Sequence, residues 1–207
     1  MSDDALELSL RDQKKAEIRA SVLEIAHRKF HEQGYDSTTI EEICSEAMIS
    51  KRTFFRYFQD KESLVFPNRE ERLEIFIAFL EMNGDAENPF DTLRDATRLF
   101  GSEYHMKADK LMSQQRLIQS STTLIARERE IDRDWEVEIA RAFAKRTAGP
   151  QAGLWSAVTA GAVMGVVRAT VNYWCETEGE DDLALLGLHA IDCLEKGFPE
   201  RTLERNT

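Results

Sequence analysis

Cysteine is sparse in this chain and poorly placed for cross-linking. Cys44, Cys175 and Cys193 are odd in number, widely spaced and without a C-x-x-C pair, which argues against a disulfide framework and fits buried thiols in a reducing cytoplasm. Nothing in the sequence around Cys175 or Cys193 marks them as a reactive redox pair. A secretory leader is also lacking: the start, MSDDALELSL, has acids where a leader has bases, and no sustained apolar stretch. The uncharged run from Gly149 to Val167 contains Pro, Gln, Ser and Thr and falls short of the ~20 mostly apolar residues of a membrane span. A cytoplasmic protein with no membrane partner is expected. Catalytic signatures are missing as well. There is no G-x-S-x-G, no Gly-rich phosphate loop and no nucleophile with a spaced base, so no reaction can be assigned. His27 and His31 stand four apart, but no H-E-x-x-H follows and Tyr35 occupies the place of a further ligand. No metal and no cofactor is therefore expected.

What is present is an acidic chain of 207 residues, 42% hydrophobic and 31% charged, with a net charge of −11. Such a balance suits a soluble globular protein of one large or two small domains, and on its own it repels nucleic acid. The charge is unevenly spread. Residues 10–66 hold 10 Lys and Arg against 10 Asp and Glu, whereas residues 67–207 hold 17 against 25. Bases in the neutral amino-terminal third are free to gather on one surface, and the acidic remainder would stay off DNA.

Helical periodicity runs throughout, and nothing in the carboxyl-terminal half reads as a strand. Ile18, Val22, Ile25, Ala26 and Phe30 form one face of a first helix over about 12–33, stopped at Gly34. Arg11, Lys14, Lys15 and Arg19 gather near its start, where an anionic partner could sit. Thr39 and Glu42 form a T-x-x-E capping box, which starts a second helix at Ile40. Ser50 caps a third, from Lys51 to about Phe58. On that helix Phe54 and Phe58 point inward, four residues apart, leaving Arg52, Phe55 and Arg56 outward. Asp60 can cap a further helix that Pro67 interrupts and Asn68 restarts. Asn83-Gly84-Asp85 reads as a turn, and Asn88-Pro89 as a cap with proline at the first helical position.

Beyond it, Phe90, Leu93, Phe100 and Tyr104 continue one helical period, Leu111 to Ile118 another, and Trp135, Ile139 and Phe143 a third that ends before Gly149-Pro150. A helix from Gln151 to about Cys175 is rich in small residues, including Gly161 and Gly165. A last helix over 181–196 carries Leu183, Leu186, Ala190 and Leu194 and stops at Gly197. These two apolar helices could form half of a four-helix dimer interface. The tail from Glu200 is polar. The expectation is an all-α protein of about nine helices, divided at residues 10–66 and 67–199.

The run GYDSTTIEEICSEAMISKRTFFRYFQDKESLV resembles the DNA-binding domain of the TetR family of transcriptional regulators. The likeness covers about residues 12–66, while the carboxyl-terminal part resembles the family only in helical content and length. Met48 departs from the family's usual glycine in the turn; held at positive φ it would cost ~1 kcal/mol or somewhat more, unless the turn adopts another conformation. The resemblance implies an amino-terminal helix-turn-helix followed by a helical domain for ligand binding and dimerisation. It implies that the third helix enters the major groove with Lys51, Arg52, Phe55 and Arg56 facing the bases, and that Thr39, Ser50, Thr53, Tyr57 and Lys61 hold phosphates. Either arginine can bridge guanine N7 and O6, and Phe55 can meet a thymine methyl. It further implies a homodimeric repressor of a pseudo-palindromic operator, released by a small, largely apolar effector.

For that effector Phe100, Tyr104, Trp135 and Arg168 are the expected lining. Trp135, Trp155 and Trp174 could instead fill a core, and Arg168, within an apolar helix, needs either an internal acid or an anionic effector. The rival readings are a helical regulator without an effector, a helical interaction protein, and an enzyme of unassigned reaction.

Overall fold

The computed structural model describes residues 3–83, 88–105, 108–145 and 148–197, with side chains of 3–11, 89 and 101–105 excepted. Every described element is helical: α1 Asp3–Gln33, α2 Ile40–Glu46, α3 Lys51–Tyr57, a 3-10 turn Glu62–Leu64, α4 Arg69–Met82, α5 Pro89–His105, α6 Ala108–Gln119, α7 Thr122–Ala144, α8 Ala152–Glu176 and α9 Leu183–Lys196. The turn expected at Gly84-Asp85 and the tail from Glu200 lie outside the described residues.

The first helix begins at Asp3 rather than near Asp12. No Gly or Pro interrupts residues 3–11, and acids at a helix start complement its dipole. Its end is the expected one: Gly34 has φ +85 and its N–H closes on the Phe30 carbonyl at 3.0 Å. Asp60 caps less than a full helix. Its Oδ1 accepts from the Ser63 N–H at 2.7 Å and holds only the short 3-10 turn, with α4 restarting after Asn68 at φ +59. The Asn88 Oδ1 accepts from the Phe90 N–H at 3.0 Å at the start of α5, and Asp182 caps α9 through the Leu185 N–H at 3.0 Å.

The chain divides into two compact units, and the division is not contiguous as the expected 10–66 and 67–199 would be. The first unit takes the residues up to Asn68 together with Gln114–Glu128; the second takes Arg69–Ser113 and the chain from Arg129. In the first unit Val22, Ala26, Phe30, Ile43, Phe54, Phe58, Leu64, Ile118 and Leu124 share one buried core. The 114–128 segment is pinned there by polar contacts as well: Ser121 Oγ donates to Asp36 at 2.9 Å, Gln114 Nε2 donates to the Val65 carbonyl at 2.6 Å, and Arg127 pairs with Asp60 at 3.3 Å.

The second unit buries Leu80, Leu93, Ile139, Phe143, Ala160, Met164 and Ile191. A Cβ built on Gly187 of α9 would meet the Thr97 methyl of α5 at 2.9 Å, so the glycine permits the close approach of those helices. Arg94 of α5 pairs with Asp192 at 2.6 Å and with Glu195, both on α9. By length and composition α8 could cross a membrane, although 22% of its most apolar stretch is buried within the unit. The uncharged run ends at Val167, but the helix continues through Arg168 to Glu176.

Candidate nucleic-acid interface

The geometry of the candidate site begins at Thr39. Its Oγ1 accepts from the Glu42 N–H at 3.2 Å, and the Glu42 carboxylate accepts from the Thr39 N–H at 2.8 Å. Both halves of the capping box are made, satisfying two helix-start amides. That backbone hydrogen bond from Thr39 is the main reason the Glu42 carboxyl titrates below its ordinary value. At the other end of α2, Met48 stands at φ +52 and 91% exposed. The Ile49 N–H reaches the Cys44 carbonyl at 3.0 Å and the Met48 N–H the Ser45 carbonyl at 3.3 Å. This is a Schellman closure with methionine in the left-handed position, where glycine is the usual occupant. The turn keeps the glycine conformation and bears the backbone cost.

Ser50 opens α3, its Oγ accepting from the Thr53 N–H at 3.0 Å and lying 2.9 Å from the Thr53 hydroxyl. With this start fixed, Phe54 is 0% and Phe58 3% exposed, against 53% for Phe55. The inward rings are 5.3 Å apart between centroids. Arg52, Thr53, Phe55 and Arg56 line one shallow outward concavity, and Lys51 is also exposed. The Arg56 guanidinium stacks on the Tyr57 ring at 4.8 Å and donates to its hydroxyl at 2.9 Å, so this pair is already oriented. Lys51 Nζ is held by Glu41 of α2, and the contact lowers the Glu41 carboxyl pKa.

Two basic residues have internal partners that spacing could not reveal. Arg19 sits over the Phe58 ring at 5.2 Å, donates to the Tyr57 carbonyl at 3.2 Å and to Asn68 Oδ1 at 2.5 Å. It braces the end of α3. Lys61 Nζ donates to the Tyr35 and Thr38 carbonyls, each at 2.7 Å, and lies 4.0 Å from the Tyr35 ring centroid. Burial lowers its pKa from the ordinary lysine value. Two of its three N–H donors are thus engaged, leaving one for an outside acceptor. His27 Nε2 lies 3.2 Å from the Leu64 carbonyl, a contact within the same unit.

The expected effector residues are only partly brought together. Phe100 and Trp135 each lie 5.8 Å from Phe76 between ring centroids, and Phe79 is 5.8 Å from Phe100. Arg168 is 54% exposed and pairs with Asp132 of α7 at 3.1 Å: its partner is an acid of the chain, and the pair lies at the surface. The side chain of Tyr104 lies outside the described residues. Of the tryptophans, Trp174 is buried and donates to the Asp181 carbonyl at 2.8 Å, Trp135 is half-buried, and Trp155 is exposed.

Residues 22–66 match the profile of bacterial regulatory proteins of the tetR family, and residues 87–199 match that of the MftR C-terminal domain. The chain belongs to the TetR family of transcriptional regulators. The second match covers the half whose sequence resembles the family only in helical content and length. Among relatives of this TetR-family member is the HTH-type transcriptional regulator TcmR of Streptomyces glaucescens, 29% identical over 143 residues, or 66% of this chain and 63% of TcmR. The chain thus spans somewhat less than two thirds of that relative. MftR of Mycobacterium tuberculosis, named for mycofactocin biosynthesis, is 22% identical over 86% of this chain and 89% of its own. The solved structure of FadR from Bacillus subtilis in complex with stearoyl-CoA has the same fold, with a TM-score of 0.57 at 18% identity over 87% of this chain and 99% of FadR.

Proposed function

We propose that this protein is a ligand-responsive repressor that binds a pseudo-palindromic operator as a cytoplasmic homodimer. The observation that carries the reading is the sidedness of α3: Phe54 is buried, with Phe58 just past the helix end buried against it, while Arg52, Phe55 and Arg56 are exposed, on a helix whose start is fixed by Ser50. In the groove, Arg52 and Arg56 would each bridge guanine N7 and O6, and Phe55 would contact a thymine methyl. Thr39, Ser50, Thr53 and Tyr57 would hold phosphates, with Lys61 giving its remaining donor.

Dimerisation through α8 and α9 is supported by their exposed apolar side chains, among them Leu154, Trp155, Val158, Tyr173 and Leu185. A second copy covering them would form a four-helix interface. The effector would be a small, largely apolar molecule at the aromatic cluster of Phe76, Phe79, Phe100 and Trp135. FadR, which shares the fold, is bound to stearoyl-CoA in its solved structure. Release from DNA requires the effector to favour the DNA-incompetent state.

The test is selection of an operator from a random duplex pool, followed by titration at several salt concentrations. A regulator gives an enriched palindromic site and an affinity that falls linearly on a log–log salt plot. Failure to enrich any sequence, with no salt-dependent binding to duplex DNA, would overturn the reading.

A further inference from the structure

Helix α2 carries three acids and no base, next to the surface assigned to DNA. Two of these carboxylates are occupied within the fold. Glu42 closes the capping box and accepts from Gln33 at 3.4 Å, and Glu46 pairs with Arg28 and with Lys29 at 3.2 Å. Glu41 is different, because the side chain it holds is Lys51, the first residue of α3. Both partners are more than half exposed, at 58% and 55%, so the pair contributes little to stability. A carboxylate facing phosphate would by itself weaken DNA binding. Its effect on recognition depends on what it does to Lys51.

We propose that Glu41 is a specificity-determining residue, holding Lys51 in an exposed intramolecular ion pair that competes with phosphate and is given up more completely on a seated operator than on a loosely bound duplex. A free lysine on a DNA-binding surface neutralises a phosphate of any sequence, releases a counterion and strengthens non-specific binding. A lysine paired with Glu41 offers less net charge to a loosely bound duplex. Exchange of the carboxylate for a base or phosphate acceptor is most favourable where the rest of α3 has seated and fixed an acceptor at Lys51 Nζ. The pair therefore lowers background affinity more than operator affinity. This inference rests on the assignment of α3 to the major groove.

A double-mutant cycle tests it. Glu41→Gln, Lys51→Gln and the double variant are titrated with a mixed-sequence duplex and with the selected operator over a range of salt, with helicity checked by circular dichroism. In the Lys51 background, Glu41→Gln should steepen the log–log salt dependence on mixed duplex, by at most about 0.9 per protomer engaged, and should reduce the ratio of operator to mixed-sequence affinity. In the Lys51→Gln background the same change should leave the slope unaltered. An equal change in both backgrounds would make Glu41 a general repulsive charge and overturn the proposal, as would no change in either. If the wild-type protein binds no duplex at all, the regulator reading falls and this role with it; binding with additive effects removes the role alone.

Discussion

Arg19, on the first helix, donates to the carbonyl of Tyr57, the last residue of the candidate recognition helix, at 3.2 Å. The carbonyls at a helix end lack intrahelical partners and carry partial negative charge, so a guanidinium there both satisfies an acceptor and fixes the helix axis. The same side chain covers the Phe58 ring and reaches Asn68 just before α4. Arg19→Ala should cost about 1–3 kcal/mol, as for loss of charged hydrogen bonds, seen as a lower urea midpoint. Operator affinity should fall with it, since α3 loses its brace. A variant with unchanged stability and binding would refute the bracing role.

Lys61→Ala should behave as a folding variant as well as a binding one. Its ammonium serves the Tyr35 and Thr38 carbonyls, and removing a charged donor from half-buried acceptors costs about 1–3 kcal/mol. The measurement is chemical denaturation beside DNA titration. Lost affinity with intact stability would make phosphate contact its main task.

Met48→Gly should stabilise the chain by about 0.5–1 kcal/mol, because relief of the left-handed strain outweighs the added freedom of glycine when unfolded. Thermal or urea unfolding decides it. A lower midpoint would mean that the exposed methionine makes a contact worth more than the strain.

The Arg94 cluster makes the second unit sensitive to acid. Hydrogen bonds from Arg94 are the largest cause holding the carboxyls of Asp192 and Glu195 below their ordinary values. In the window between the folded and ordinary values the unfolded chain binds more protons, so stability rises with pH there. The contribution is complete above the ordinary carboxylate range and is lost as pH falls through the depressed values. Arg94→Gln should flatten the acid side of a stability–pH curve; an unchanged slope would contradict this.

How much was readable in the sequence depended on the range of each interaction. Thr39 with Glu42, Ser50 with Thr53, and Phe54 with Phe58 lie within four residues of one another, and local spacing is enough to place them. Gln114 with Val65 and Ser121 with Asp36 are separated by 49 and 85 residues, and no periodicity announces such pairs, so a contiguous domain boundary was expected. Arg168 is legible as a charge that needs a partner, and of the two readings, an internal acid or an anionic effector, the structure supplies the acid, Asp132. The sequence does not name Asp132, because it lies on another helix, 36 residues away. Lys61 and Arg19 were legible as bases but not as donors to backbone carbonyls.

The proposed function rests on α3 reading base edges with its outward arginines. The measurement that tests it most directly is the affinity of Arg56→Ala for the selected operator, for single-base operator variants and for mixed-sequence duplex, all at one fixed salt concentration. The expected result is a loss of about 1–3 kcal/mol on the operator that disappears when the contacted base pair is changed, with mixed-sequence binding much less affected. An equal loss on every duplex would contradict it, making Arg56 a phosphate contact and leaving α3 without its reader.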